Sequence, residues 1–248
     1  MTERVSVIIP NLNMGQFLDS ALRSIAMQSV SAHEVILVDC GSTDQSFDVI
    51  GKHLSNGLNL KLLEQPALAP GAARNIGVAA AQGDFIAFLD SDDIWPTGKL
   101  ERQLGRLTTQ PAVDMVSGYV CYFEEPSQSG LEPARGSRTE NIFHVHVGAC
   151  IYRKKVFEQI GGAFDEDFLY SEDVDLMLRV READVPFTIL RSVELYYRKH
   201  SSSMMAQTNP RKEASFHLAA RKSMLRRRVA GTLNLPLRDF ASYLEPLT

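Results

Sequence analysis

The chain has 248 residues, 44% of them hydrophobic, 23% charged and 8% aromatic, which suits one large α/β domain or two closely packed halves. A net charge of −4 with a pI near 5.9 excludes a general electrostatic grip on nucleic acid. Three cysteines without a CxxC pair cannot build a disulfide framework, and no apolar run is long enough for a signal-peptide core or a membrane span, so a cytoplasmic protein is expected. The charge is uneven. From His200 to Thr248 eight Lys or Arg stand against three acids, so an acidic body carries a basic tail. Such a tail folds back onto the body, lies in a homodimer contact, or touches an anionic surface such as the inner face of a membrane.

In chain order, Val5 to Ile9 is a β-rich run stopped by Pro10 and reads as a buried strand. Phe17, Leu18, Ala21, Leu22 and Ile25 then recur at helical spacing. Val35 to Val38 is a second strand leading to Asp39, and Ser42 with Gln45 has the spacing of a capping box that starts a helix. Leu60 to Leu63 is a weaker third strand. Pro70-Gly71 opens an Ala-rich helix to about Ala81, closed by Gly83. Phe85 to Leu89 is the fourth strand, and Pro96 helps start a helix over about Thr97 to Leu107. Repeated strand–helix units predict a Rossmann-like, mostly parallel sheet with helices on both faces, whose ligands bind beyond the carboxyl ends of the strands. The polar clusters fall at those ends: Asn11 and Asn13, Asp39, and Asp90-Ser91-Asp92-Asp93.

The second half is more mixed. Met115 to Val120 and Gly148 to Tyr152 read as strands, and Glu124 to Arg138, rich in Pro, Ser, Gly and charge, as a mobile loop. Lys154 to Ile160 is a short helix ended by Gly161-Gly162, and Glu172 to Ala183 a longer one. Phe187 to Leu190 and Leu195 to Lys199 are short strands. Arg211 to Arg228 is a basic helix with an apolar stripe. The expected division is a ligand-binding half over residues 1–110, a second half of the same domain over 111–205, and a helical tail over 206–248.

Asp90 and Asp92 at a strand end can grip a hard divalent cation, although Asp92 or Asp93 would also serve to cap the next helix. Arg74 in the Ala-rich helix could bind a base or phosphate or simply face solvent, and Gly77 permits close backbone approach. Glu172-Asp173 at a helix start favours the dipole, or supplies a general base held over a reaction centre. His200 is a metal or phosphate ligand, or a plain surface histidine.

Taken in order, Ser6-Val7-Ile8-Ile9-Pro10-x-x-Asn13, Val38-Asp39-x-Gly41-Ser42-Thr43-Asp44, Arg74-Asn75-x-Gly77, Phe88-Leu89-Asp90-Ser91-Asp92-Asp93 and Gly161-Gly162-x-Phe164-Asp165-Glu166 leading to Glu172-Asp173 resemble family-2 glycosyltransferases, with Tyr197-Arg198-x-His200-x-x-Ser203 similar to that family's closing segment. The resemblance implies the A-type glycosyltransferase (GT-A) fold, a nucleotide-diphospho-sugar donor (UDP-, dTDP- or GDP-sugar), Mg²⁺ or Mn²⁺, and inversion at the anomeric carbon. It implies that Asp39 contacts the base, that Pro10 and Asn13 begin the base and ribose pocket, and that Arg74, Asp90 and Ser91 meet the donor. Asp90 and Asp92 become the metal acids, with His200 a late metal or diphosphate contact. Asp173 becomes the catalytic base and Glu172 its neighbour beside a carbohydrate or lipid-linked acceptor. Cys40 and Asn11 depart from the family pattern and leave the nucleotide open. A binding module without turnover and a nucleotidyltransferase are the competing readings. The chain lacks GxxxxGK[ST] and GxGxxG, which argues against P-loop and dinucleotide sites.

Overall fold

A computed structural model describes residues 3–135, 140–142, 146–204, 206 and 209–246. The strands are β1 (Val5–Asn11), β2 (Glu34–Asp39), β3 (Leu60–Glu64), β4 (Phe85–Phe88), β5 (Met115–Phe123), β6 (Glu140–Ile142), β7 (Ile151–Arg153) and β8 (Phe187–Arg198). They form one sheet in the order β3-β2-β1-β4-β7-β5-β6, with β8 also paired to β5. The β3-β2-β1-β4 block is parallel, β7 runs antiparallel to both β4 and β5, and β8 is parallel to β5. This is the mostly parallel, two-face-covered sheet that the alternating pattern predicts.

The helices are α1 (Gly15–Ala26), α2 (Ser46–Ser55), α3 (Pro70–Ala80), α4 (Lys99–Thr109), α5 (Lys155–Gln159), α6 (Glu172–Glu182) and α7 (Pro210–Val229). Strand periodicity sends alternate side chains to opposite faces. Val5, Val7 and Ile9 therefore pack with Leu18 and Leu22 of α1 and Leu100 and Leu104 of α4. Ile8, between them, joins Ala73 of α3, Val156 of α5 and Leu176 and Val180 of α6 on the other face. A central strand covered twice favours apolar residues on both faces, which is why the first strand is apolar at every position from Val5 to Ile9 except Ser6, whose hydroxyl donates to Glu34.

α3 approaches β1 closely at Gly77, where an added Cβ would stand 2.3 Å from Ile8 Cγ2. The close approach serves helix–sheet packing. Gly77→Ala is expected to cost about 1–3 kcal/mol through overpacking, checked by urea unfolding, and an unchanged midpoint would contradict that packing account.

Several local expectations change. Ser42 and Gln45 form no capping box: Ser42 Oγ accepts from Asn13 N–H at 2.9 Å, and Asp44 Oδ1 receives Ser46 N–H at 3.0 Å at the start of α2. Gly83 does not close α3, which ends at Ala80; its N–H instead donates to Ser6 Oγ at 2.8 Å. α4 begins after Gly98 in the left-handed region, so neither Asp92 nor Asp93 caps it. Gly148 belongs to a 3-10 turn (Val147–Ala149) before β7. The two short strands expected near 187–199 are one, β8, with bulged pairing to β5 between Ser117 and Val120. Residues 124–135 are a closed hairpin, with Ser127 N–H to Glu132 O at 2.7 Å and Ala134 N–H to Glu125 O at 2.9 Å, and Arg23 of α1 reaches Ser129 O. Residues 136–138 of the expected loop lie outside the described residues.

The basic tail folds back onto the body. α7 packs on α6 through Ser215, Ala219 and Ser223, which are small and buried. The expected apolar stripe of Phe216, Leu218, Ala219 and Leu225 is not buried as a unit: Ala219 is buried and Leu218 half-buried, whereas Phe216 and Leu225 are about half exposed. Beyond α7, Tyr243 stacks on Phe187 with ring centroids 3.6 Å apart. No helix among the described residues is long and apolar enough to cross a membrane.

Candidate active site

The carboxyl ends of β1, β2 and β4 lie side by side, as the pairings Asn11 with Asp39 and Ile8 with Phe88 require. Asn11 and Asp39 are both buried. Asn11 Nδ2 donates to Asp39 Oδ2 at 2.8 Å, while Asp39 Oδ1 takes the Gly41 and Ser42 N–H groups at 3.1 and 2.8 Å. Asp39 thus braces the turn after β2. Asn13 sits at φ 53°, tolerable for an amide that can bond locally, and its Oδ1 accepts from Thr43 N–H at 2.8 Å. Pro10 is half-buried where β1 ends. These residues make a rigid double turn with Asn13 exposed at its rim.

Asp90 follows β4, and Arg74 projects from α3 toward it. The Arg74 side chain is 5% exposed; its Nη2 meets Asp90 Oδ1 at 2.5 Å and its Nη1 meets Glu172 Oε1 at 2.7 Å. One guanidinium therefore joins an acid from the first half of the chain to an acid from the second. Phe164 lies under the guanidinium, 5.4 Å from its carbon. The loop before α6 is fixed by Asn75, whose Nδ2 donates to Phe164 O and whose Oδ1 accepts Phe164 N–H, both at 2.8 Å. Burial disfavours the Arg74 charge, but Asp90 and Glu172 outweigh it and hold the guanidinium ionised.

Asp173 follows Glu172 in the first turn of α6. Its Oδ1 accepts its neighbour's N–H, from Val174 at 2.8 Å, and among the described residues Ser171, before the helix, makes no side-chain cap. The carboxyl is pushed up to about 7 by burial and then by the charge of Glu172. An acid poised there can exchange a proton near neutral pH.

Asp92 and His200 meet: Nε2 lies 2.9 Å from Asp92 Oδ2, and Nδ1 is buried without a hydrogen-bond partner among the described residues. Ser91 is buried between the two acids. The structure gives Asp93, read from sequence as a member of the strand-end cluster or a helix cap, a place in the site, and adds His146. Asp93 is buried, its Oδ1 takes the Arg198 N–H at 2.9 Å, and its Oδ2 has no hydrogen-bond partner among the described residues. Burial and then the charges of Asp92 and Asp90 push its carboxyl well above the ordinary range. His146 is also buried, with Nε2 3.9 Å from Asp90 Oδ2; Asp90, Asp93 and His146 offer ligand atoms within 4.8 Å of one another. Gly148 N–H donates to His146 Nδ1, which leaves the proton on Nε2, facing the acids. The turn bearing His146 is anchored from α4's side by Trp95 Nε1 to Gly148 O at 3.0 Å and Gln103 Nε2 to Ala149 O at 2.8 Å. Arg198, part of the closing motif, also donates Nε to Asp92 O. His146 lies in the stretch His144-Val145-His146, far in sequence from the acids, and the fold brings it to Asp90.

A three-acid strand end, an Arg bridging to a second acid pair, and a raised carboxyl can together bind a diphosphate through a cation and take a proton from a hydroxyl. The family model described as "Glycosyl transferase family 2" matches residues 6–161. The chain belongs to glycosyl transferase family 2. The matched span takes in Arg74, the acids 90–93 and His146, and ends before Glu172 and Asp173. Among family-2 relatives, the uncharacterized glycosyltransferase EpsJ of Bacillus subtilis is 28% identical over 200 residues, covering 74% of this chain and 58% of that protein. WfaP of Escherichia coli, a UDP-Glc:α-D-GlcNAc-diphosphoundecaprenol β-1,3-glucosyltransferase, is 28% identical over 207 residues, covering 82% of this chain and 80% of WfaP. The chain thus spans little more than half of EpsJ. Residues 1–349 of S. aureus TarS, crystallised with UDP-GlcNAc, superpose with a TM-score of 0.70 at 22% identity, covering 90% of this chain and 66% of that one. The family-2 chain therefore has the GT-A sheet and adds α7 beyond the matched region.

Proposed function

We propose that the protein moves a sugar from a nucleotide-diphospho-sugar to an acceptor hydroxyl with inversion, in polysaccharide or glycolipid assembly. The observation that carries this is the Arg74 bridge, which sets the raised Asp173 carboxyl beside the acid cluster at the sheet rim. WfaP, with its UDP-Glc donor and lipid-diphosphate acceptor, and TarS, crystallised with UDP-GlcNAc, support a nucleotide-sugar donor and a lipid-linked or carbohydrate acceptor.

In this reading the double turn of Asn11, Asn13 and Asp39, with Pro10, cradles the nucleotide, and Arg74, Asp90 and Ser91 face the diphosphate. Asp173 takes the acceptor hydroxyl's proton as the oxygen attacks the anomeric carbon, and Glu172 orients the acceptor. The ionised form of Asp173 is the competent one, so turnover should fall as pH drops through about 7. A rate that is flat across this range would place the base elsewhere.

The acids fit a divalent cation. Asp93 carries a buried oxygen with no hydrogen-bond partner among the described residues, and burial with the charges of Asp92 and Asp90 pushes its carboxyl up. Asp90, Asp92 and Asp93 would hold Mg²⁺ or Mn²⁺, with His200 beside Asp92; the ion would offset charge on the departing diphosphate. His146, with its Nε2 proton, fits hydrogen bonding to the carboxylates. Asp92→Ala is expected to weaken donor binding and abolish Mg²⁺- or Mn²⁺-stimulated turnover, read by nucleoside-diphosphate release. Full activity of that variant in chelator would exclude the assignment.

A further inference from the structure

We infer that α7 is a positioning element for the catalytic acids of α6, acting through Arg226 and Lys222; this rests on the reading of Asp173 as the base. α6 starts with Glu172 and Asp173 but is poorly held at that end, since Ser171 sits at φ 61° and supplies no side-chain cap. The stretch before it, from Asp165 to Tyr170, forms no regular element. Arg74 and Asn75 hold this stretch from the site side, and α7 holds it from behind.

Arg226 Nη1 donates to Asp175 Oδ1 at 3.0 Å, and its Nε and Nη2 form a fork on Glu182 at 2.6 and 3.2 Å. The Asp175 side chain is 0% exposed and is shared with Arg179, whose Nε lies 2.8 Å from its Oδ2. Arg179 in turn donates to the Gly162 and Ala163 carbonyls. One chain of charges thus runs from α7 through α6 to the Gly161-Gly162 turn. Asp175 lies two residues beyond Asp173, about 200° around the helix, so α7 grips the face opposite the one Asp173 presents. Lys222 Nζ meets both Asp165 Oδ2 and Asp167 Oδ2 at 2.6 Å and lies 5.1 Å over the Phe168 ring. Ser215 Oγ donates to Tyr170 O at 2.6 Å. The stretch that carries the acids into the site is therefore held from its back by one helix.

The wholly buried Asp175 carboxylate is met by two cations, Arg179 on one oxygen and Arg226 on the other, which ties α7 to α6. The contacts of Arg226, Lys222 and Arg179 reach back no further than Ile160, so a small displacement of α6 leaves the β1 to β4 block in place and reaches Arg74 through Glu172. The effect should fall on the chemical step, where small misplacements are costly.

The test uses the full chain with Arg226→Gln, Arg226→Lys and Lys222→Met, read by amide hydrogen exchange and by nucleoside-diphosphate release. Arg226→Gln should speed exchange over residues 165–175 while β1 to β4 stay protected, and lower kcat about ten- to a hundredfold with donor KM unchanged. Arg226→Lys should restore part of the loss. If Arg226→Gln does not fold, the more exposed Lys222→Met carries the same expectation at residues 165–170. Unchanged exchange there, or kcat within twofold of the parent, overturns the proposal, as does a parallel loss of donor KM and global protection. If the parent releases no nucleoside diphosphate with any donor, the reading of the function fails while the exchange data still decide the clamp.

Discussion

Arg74→Met should destabilise the protein by about 3–5 kcal/mol, toward the lower end because Asp90 remains 24% exposed, and should abolish turnover. Methionine fills the space over Phe164 but leaves Asp90 and Glu172 near one another with no cation between them. Burial by itself would raise Asp90; Arg74 and His146 hold it below the ordinary carboxylate range. Without Arg74 that acid regains its proton more readily, and it loses the charge a cation would need. Arg74→Lys should recover little, since a single ammonium cannot present the two ends of the fork that the paired acids use. Urea unfolding and nucleoside-diphosphate release measure the two effects. A loss under 1 kcal/mol would show that the bridge is dispensable to the fold.

Asp173→Asn should lower turnover by about 10²–10⁴-fold with donor affinity nearly unchanged. The amide keeps the size and the acceptor oxygen for the Val174 N–H, and removes the group able to take a proton. A helix-start acid would behave differently, because Asn serves almost as well in that role. Stability gives an independent sign. A carboxyl raised in the folded state contributes stability below its unfolded value, and this is lost as pH rises through about 7. Asp173→Asn should therefore match or exceed the parent in thermal stability well above pH 7 while losing activity. A variant that is both active and less stable at that pH would reverse the assignment.

The parallel half of the fold was legible because its strands are buried on both faces and are dominated by apolar, mostly β-branched, residues, as Val5 to Ile9 shows, with Ser6 its one polar member, paired to Glu34. β8 read as two strands because Arg191-Ser192-Val193-Glu194 interrupts its apolar pattern. Glu194 is in fact wholly buried, neutralised by Arg102 at 2.8 Å, a partner 92 residues away. Ser42 has the spacing of a capping residue, but its oxygen is claimed by Asn13 across the turn. In α7 the apolar residues suggested a stripe, whereas the buried residues are the small Ser215, Ala219 and Ser223, with ion pairs from Arg226 to α6 beside them. At the site, the acids stood out as clusters at strand ends. His146 did not, since its meaning depends on a turn anchored by Trp95 and Gln103. Nor does local sequence reveal that Arg74 is committed to two acids, one of them 98 residues away.

The central claim is sugar transfer with Asp173 as the base. It is tested most directly by incubating the protein and its Asp173→Asn variant with a panel of UDP-, dTDP- and GDP-sugars, Mg²⁺ or Mn²⁺, and lipid-diphosphate-linked sugar acceptors, and following nucleoside-diphosphate release. At least one donor–acceptor pair should support release by the parent, with a glycosylated product, and the variant should bind that donor but release little. Equal release by both proteins, or donor binding by the parent with no transfer to any acceptor of this class, would contradict it.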